Sequence, residues 1–168
     1  MTRDVHLNVL LPKNRNHPGR LRVEVSGVPK AEFPVLGRGS TKVGKKPTGN
    51  PSLNPYLYAG NTPTGTYTSP RVEDTTHWDQ NSYGPWGAVQ LRAVSGDALV
   101  AEKVGQRTGL LIHGGAPGRF DGFRSTLGCL RLSNDDMFRL RNLLFEAAVD
   151  PQARACTEIS VRVTVRDW

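Results

Sequence analysis

Residues 109–137 read GLLIHGGAPGRFDGFRSTLGCLRLSNDDM, and the rest of the chain is organised around them. Leu110, Leu111 and Ile112 form a short apolar run after Gly109, the pattern of a buried strand. The run delivers His113 into Gly114-Gly115. A polar loop carrying Arg119 and Arg124 follows, then Gly128-Cys129, with Arg131 two positions on. From Ser133 the period changes: Met137, Leu140, Leu144 and Ala148 recur at helical spacing, and Phe138 and Phe145 widen the stripe. Ser133 is the expected N-cap, with Asp135 and Asp136 at the positive end of the helix and Pro151 beyond its end.

Outward from this stretch the chain alternates rather than coils. Val5–Leu10 and Leu21–Val25 each put apolar residues at every second position, and Asn14–Gly19 reads as the turn between them. A third strand is expected within residues 32–37. Residues 37–55 are rich in Gly, Lys, Ser, Thr and Pro and read as a loop. Short strands are expected at Tyr56–Ala59 and Ala88–Val94, with Gly96-Asp97 turning the chain into a returning strand over Ala98–Val104. Between them, Arg71–Gly87 is a long polar connection holding His77, Trp78, Tyr83 and Trp86, the length of a groove wall or of a loop packed on the core. Ile159, Val161, Val163 and Val165 alternate with polar residues in the clearest strand of the chain. The fold class expected is mainly β with one principal helix, a curled sheet or sandwich. Residues 1–168 read as one domain, with an N-terminal β-hairpin and loop region at 1–50 and a second region at 56–168.

The 168 residues suffice for one domain with a real core. Their 22 Lys+Arg against 15 Asp+Glu give a net charge of +7, which favours an anionic partner. The basic residues are spread along the chain apart from Lys42, Lys45 and Lys46. No nucleic-acid motif accompanies them, and no nucleic-acid role is expected. No apolar run is long enough for a membrane span. The apolar stretch near the N-terminus is too short for a Sec signal peptide, so an extracellular substrate would require another export route, a dedicated secretion system among the options, or a signal not present in this sequence. The two cysteines, Cys129 and Cys156, make no disulfide framework, although a bridge between them would silence the first. With one Cys and one His in the central stretch, neither a metal site nor a cofactor is expected.

A lone cysteine usually behaves as a small hydrophobe. Here its surroundings point to chemistry. Gly128 leaves the backbone at Cys129 open to a substrate, and in extended chain Cys129 and Arg131 share a side. His113 would take the thiol proton, or form a thiolate–imidazolium pair, and later protonate a leaving amine. Its orienting partner is a backbone carbonyl near Gly114 or the Asp121 carboxylate. Backbone N–H groups at Cys129 and its neighbours would hold the oxyanion.

His113-Gly114 followed by Thr126-Leu127-Gly128-Cys129-Leu130-Arg131 resembles the L,D-transpeptidase catalytic domain. Asn134 with Asp135 or Asp136 resembles the start of that family's next helix, and Thr62-Pro63-Thr64-Gly65-Thr66-Tyr67 resembles its upstream Thr-Pro-x-Gly segment. The position before Gly-Cys, usually histidine in the family, is Leu127. The resemblance implies a barrel-like L,D-transpeptidase fold and a cysteine acyltransferase on peptidoglycan tetrapeptide stems. Its catalytic residues would be Cys129, His113 and Gly114, with Arg131, Arg124, Arg119, Gly128 and Thr126 binding substrate. The Cys129 thiolate would expel terminal D-alanine and pass the acyl group to an amine, a D-amino acid or water, in the periplasm or cell wall. Secreted antibacterial effectors of this chemistry are a further possibility, and such an effector implies an immunity protein. Papain-like enzymes place cysteine before histidine, the reverse of the order here. A non-catalytic cell-wall binding module would use the charge but gives no reason for His113 and Cys129.

Overall fold

A computed structural model describes residues 3–42, 50–147 and 158–168 of the protein. The strands are β1 (Val5–Leu11), β2 (Gly19–Val25), β3 (Val28–Val35), β4 (Gly65–Glu73), β5 (Ala88–Gln90), β6 (Arg92–Ser95), β7 (Leu111–His113), β8 (Leu130–Arg131) and β9 (Glu158–Asp167). The helices are α1 (Gln80–Tyr83), α2 (Asp97–Gly105) and α3 (Asn134–Ala147). The strands run in the order β3-β2-β1-β9-β4-β5-β7-β8, with β6 also against β4. Beyond β3, Leu36 exchanges two 2.9 Å backbone hydrogen bonds with Arg131 of β8. The two ends of the sheet therefore meet, and the sheet is a nearly closed barrel.

The alternation that marks the strands also fills the barrel. Val5, Leu7, Val9 and Leu11 of β1 are buried, as are Leu21, Val23 and Val25 of β2 and Val161, Val163 and Val165 of β9. β9 lies parallel to β1 in the register Val5↔Val161, Leu7↔Val163, Val9↔Val165, and antiparallel to β4 on its other side. The last strand of the chain is thus central to the sheet. Met137, Leu140, Leu144 and Phe145 of α3 join the same core. Each fully buried aliphatic side chain contributes about 1.5–3 kcal/mol relative to exposure, so the strand pattern and the helix stripe reinforce one another.

Ser133 caps α3 as expected, its Oγ accepting the Asp136 N–H at 3.1 Å. Two expected strands take other forms. Ala98–Val104 lies inside helix α2. Its Ala98 and Ala101, one turn apart, are buried, while Val100 and Val104 remain exposed. Ala, Leu, Glu and Lys favour helix, and Asp97 and Lys103 complement the helix ends. Tyr56–Ala59 forms turns, because the Asn50 and Asn54 side chains accept the backbone N–H groups of Asn54 and Tyr56 and compete with a ladder. Ala88–Val94 is interrupted at Leu91, whose N–H turns to the Leu110 carbonyl. The Lys45-Lys46 part of the basic patch, the Pro151 stop and Cys156 lie outside the described residues.

Candidate active site

β7 and β8 are adjacent and parallel, in the register Ile112↔Leu130 and His113↔Arg131. Ile112 and Leu130 are fully buried, which sets the alternation. His113, Arg131, Leu111 and Cys129 line the opposite side, a cleft of about 350 Å³. One residue before the pair Ile112↔Leu130, the Leu111 N–H donates to the Cys129 Sγ at 3.3 Å. His113 is two residues further along the neighbouring strand. Strand spacing and rise put such diagonal Cα atoms roughly 8 Å apart, and both side chains line the same cleft.

His113 is 3% exposed, and its Nδ1 lies 2.7 Å from the Gly114 carbonyl oxygen. A carbonyl oxygen only accepts, so Nδ1 carries the proton and Nε2 holds the free lone pair. Of the two orienting partners open from sequence, the Gly114 carbonyl makes the contact, whereas the Asp121 carboxylate pairs with His17 at 2.8 Å. Burial pulls the imidazole down to about 4, against the Gly114 hydrogen bond and with help from the Arg131 charge. Burial pushes the Cys129 thiol up to about 11, opposed by the Leu111 N–H and by Arg107 and Arg131. At neutral pH the resting pair is therefore thiol and neutral imidazole, and the cysteine is free of any disulfide.

The turn before Cys129 is braced from behind. Gly128 has φ +119°, and a Cβ there would lie 2.0 Å from the Arg107 Nη2. Its N–H donates to the Thr126 Oγ1 at 3.0 Å, and its carbonyl accepts the Thr62 hydroxyl at 2.7 Å. Thr126 is buried, and its hydroxyl reaches the Cys129 carbonyl at 2.9 Å. The upstream Thr62-Pro63 segment and the Gly-Cys segment, far apart in sequence, are thus joined through the Thr62 hydroxyl, which also lies 3.5 Å from the Cys129 carbonyl.

The arginines divide. Arg131 is 2% exposed and donates to the carbonyls of Ser82, Asn81 and Ala116 at 3.0, 3.2 and 2.6 Å. Burial lowers its guanidinium to about 10. Arg124 stands at the exposed rim of the cleft. Arg119 is exposed, lies 4.9 Å above the Phe120 ring, and is not part of the cleft lining. Sequence reasoning missed Arg107, which is buried behind Gly128 and donates to the carbonyls of Pro55, Leu57, Gly60 and Leu127. Its only signal in the sequence was an arginine between the expected Ala98–Val104 strand and the central strand.

The long Arg71–Gly87 connection serves both expected roles. Tyr83 lines the cleft with its ring 5.0 Å from that of His113, while Trp86 packs against the core and against Phe138 at 4.6 Å. Three arginines and no carboxylate occur among the described cleft-lining residues, so the cleft favours an anionic ligand. Among the described residues there is no cluster of three or more potential metal ligands, and no helix is long and apolar enough to cross a membrane.

A family profile, L,D-transpeptidase catalytic domain, matches residues 20–149. The chain belongs to this family. The matched span starts inside β2, well before Tyr56, and takes in His113, Gly128-Cys129 and all of α3. Comparison with curated proteins finds no match. Among solved structures, an L,D-transpeptidase from Xylanimonas cellulosilytica is similar at a TM-score of 0.50 and 16% identity, over 99% of this chain and 62% of that one. L,D-transpeptidase 1 of Mycobacterium tuberculosis gives 0.45 and 12% over 96% and 62%, and an L,D-transpeptidase from Mycobacterium smegmatis gives 0.47 and 14% over 96% and 59%. The chain thus spans about three fifths of the length of these proteins. Within the L,D-transpeptidase family motif, Leu127 stands where histidine is usual, and it is 43% exposed at the cleft rim.

Proposed function

We propose that the chain is a cysteine acyltransferase acting on peptidoglycan tetrapeptide stems in the periplasm or cell wall. The observation that carries this reading is that His113 of β7 and Cys129, which immediately precedes the adjacent parallel β8, line one cleft whose charged lining is all arginine. Membership of the L,D-transpeptidase family supports the substrate class.

In the proposed reaction the Cys129 Sγ attacks the carbonyl carbon of the third, diamino-acid residue of a stem. The thiol proton passes to the His113 Nε2 as the C–S bond forms, since the resting pair is neutral. The Leu111 N–H stabilises the charge that grows on sulfur. The Gly128 N–H is already taken by Thr126, so in this reading the Cys129 N–H serves as the oxyanion donor. Collapse breaks the C–N bond, and the leaving D-alanine amine takes the proton from the imidazolium. The thioester then passes its acyl group to an amine of another stem, a D-amino acid or water, with His113 as base again. Gly114 serves through its carbonyl, which keeps Nε2 unprotonated. Arg124 at the rim meets a stem carboxylate, while Arg131, Gly128 and Thr126 hold the backbone that the stem lies against.

The test is incubation with disaccharide-tetrapeptide muropeptides and mass spectrometry of the products, with Cys129→Ala alongside. Loss of D-alanine in the wild type alone is expected, and the companion product names the acceptor. Identical, unchanged muropeptides in both samples would overturn the reading and favour a binding module.

A further inference from the structure

Asn134 is the first residue of α3, yet its side chain does no helix capping, since the Ser133 Oγ already holds the Asp136 N–H. The Asn134 Oδ1 instead accepts the Gly115 N–H at 2.7 Å. The Gly115 N–H and the Gly114 carbonyl belong to one planar peptide group. The other end of that group accepts the His113 Nδ1–H, also at 2.7 Å. A single line of hydrogen bonds therefore runs from the Asn134 amide through one peptide plane to the imidazole.

A peptide between two glycines has little conformational preference of its own and rotates easily between alternatives. If this one turned over, the carbonyl would leave Nδ1 and an N–H would face it, and the imidazole would lose the tautomer that leaves Nε2 basic. Something outside the turn has to fix it. The surrounding backbone is shaped for that contact: a Cβ on Gly114 would lie 2.6 Å from the Asn134 Oδ1, and one on Gly84 would lie 2.2 Å from it. The anchor itself stands on the capped end of a helix whose Met137 and Leu140 are fully buried, which keeps it rigid.

We infer that Asn134 is a positioning residue for His113, acting through the peptide group between Gly114 and Gly115. The inference rests on the reading of His113 as the general base. The experiment measures kcat and KM on a muropeptide tetrapeptide for wild type, Asn134→Ala, Asn134→Asp and His113→Ala. Asn134→Ala is expected to lower kcat about tenfold, the scale of one orienting hydrogen bond, with KM nearly unchanged. Asn134→Asp keeps the accepting oxygen and the shape, and is expected to restore most of the rate. A merely structural role predicts no such rescue and no split between kcat and KM. Wild-type kcat in Asn134→Ala overturns the inference, as does Asn134→Asp no faster than Asn134→Ala. If His113→Ala is inactive while Asn134→Ala is unimpaired, only the Asn134 assignment falls. If His113→Ala keeps full activity, the base assignment falls and takes this inference with it. Should Asn134→Ala fail to fold, amide exchange in the wild-type protein decides: Gly115 N–H is expected to be protected, and exchange at the rate of an open loop amide overturns the hydrogen bond itself.

Discussion

The Leu111 backbone N–H donates to the Cys129 sulfur at 3.3 Å, from the strand that also carries His113. The proposed nucleophile is thus tied to the strand that carries its proposed base. A weak N–H···S bond does not offset the burial that raises the thiol to about 11.

Thiol reactivity should follow that raised value. At pH 7 only about one molecule in ten thousand carries the thiolate. The alkylation rate of Cys129 by iodoacetamide, followed by mass spectrometry, is expected to climb tenfold per pH unit up to at least pH 9. A plateau below pH 8 would mean a resting thiolate–imidazolium pair instead.

Stability should fall in mild acid because of His113. Its imidazole titrates near 6.5 in the unfolded chain and near 4 in the fold. Between these values the unfolded chain binds the extra proton, so stability declines as pH drops from about 6.5 to 4. The full effect is of order 3 kcal/mol. Urea unfolding of wild type and His113→Gln from pH 7 to pH 4 isolates it: the difference between the two should shift in that window by an amount of this order, and parallel curves refute it.

Gly128→Ala should be damaging to both fold and activity. The new Cβ meets the Arg107 guanidinium at 2.0 Å, and φ of +119° suits no side chain. A cost of roughly 1–3 kcal/mol is expected from the backbone alone. Thermal unfolding and muropeptide turnover measure the two losses, and an unchanged melting temperature would show that the turn relaxes freely.

Arg107→Met should lower stability without touching the cleft's catalytic groups directly. It removes the guanidinium that binds the carbonyls of Pro55, Leu57, Gly60 and Leu127, of which the Leu57 carbonyl keeps the Gly60 N–H. The buried Gly60 carbonyl left unsatisfied costs about 1–3 kcal/mol before relaxation, and the partly exposed ones cost less because water can reach them. Arg107→Lys should recover little, because an ammonium has no planar fork to reach two loops at once. Denaturant midpoints rank the three proteins, and equal midpoints for wild type and Arg107→Lys would contradict this role.

Local pattern was legible where the burden falls on period and residue type. Alternation in β1, β2 and β9 and the apolar stripe of α3 appear in the sequence as they do in the fold. His113 before Gly114 and Cys129 after Gly128 marked the cleft in advance. Ala98–Val104 misled because Val100 and Val104 suggest strand, while burial of Ala98 and Ala101 against the barrel decides for helix.

The sequence by itself determined the chemical groups, their order and the strand that carries His113, since these depend on residue identity and short-range periodicity. Only the tertiary structure decided which arginine faces the cleft and which holds the backbone. Arg107 finds its carbonyls 20 to 52 residues away, and Arg131 finds Asn81 and Ser82 across the cleft from its own strand. A guanidinium takes whatever acceptors the closed barrel brings within reach, and that closure is a property of the sheet as a whole rather than of any segment.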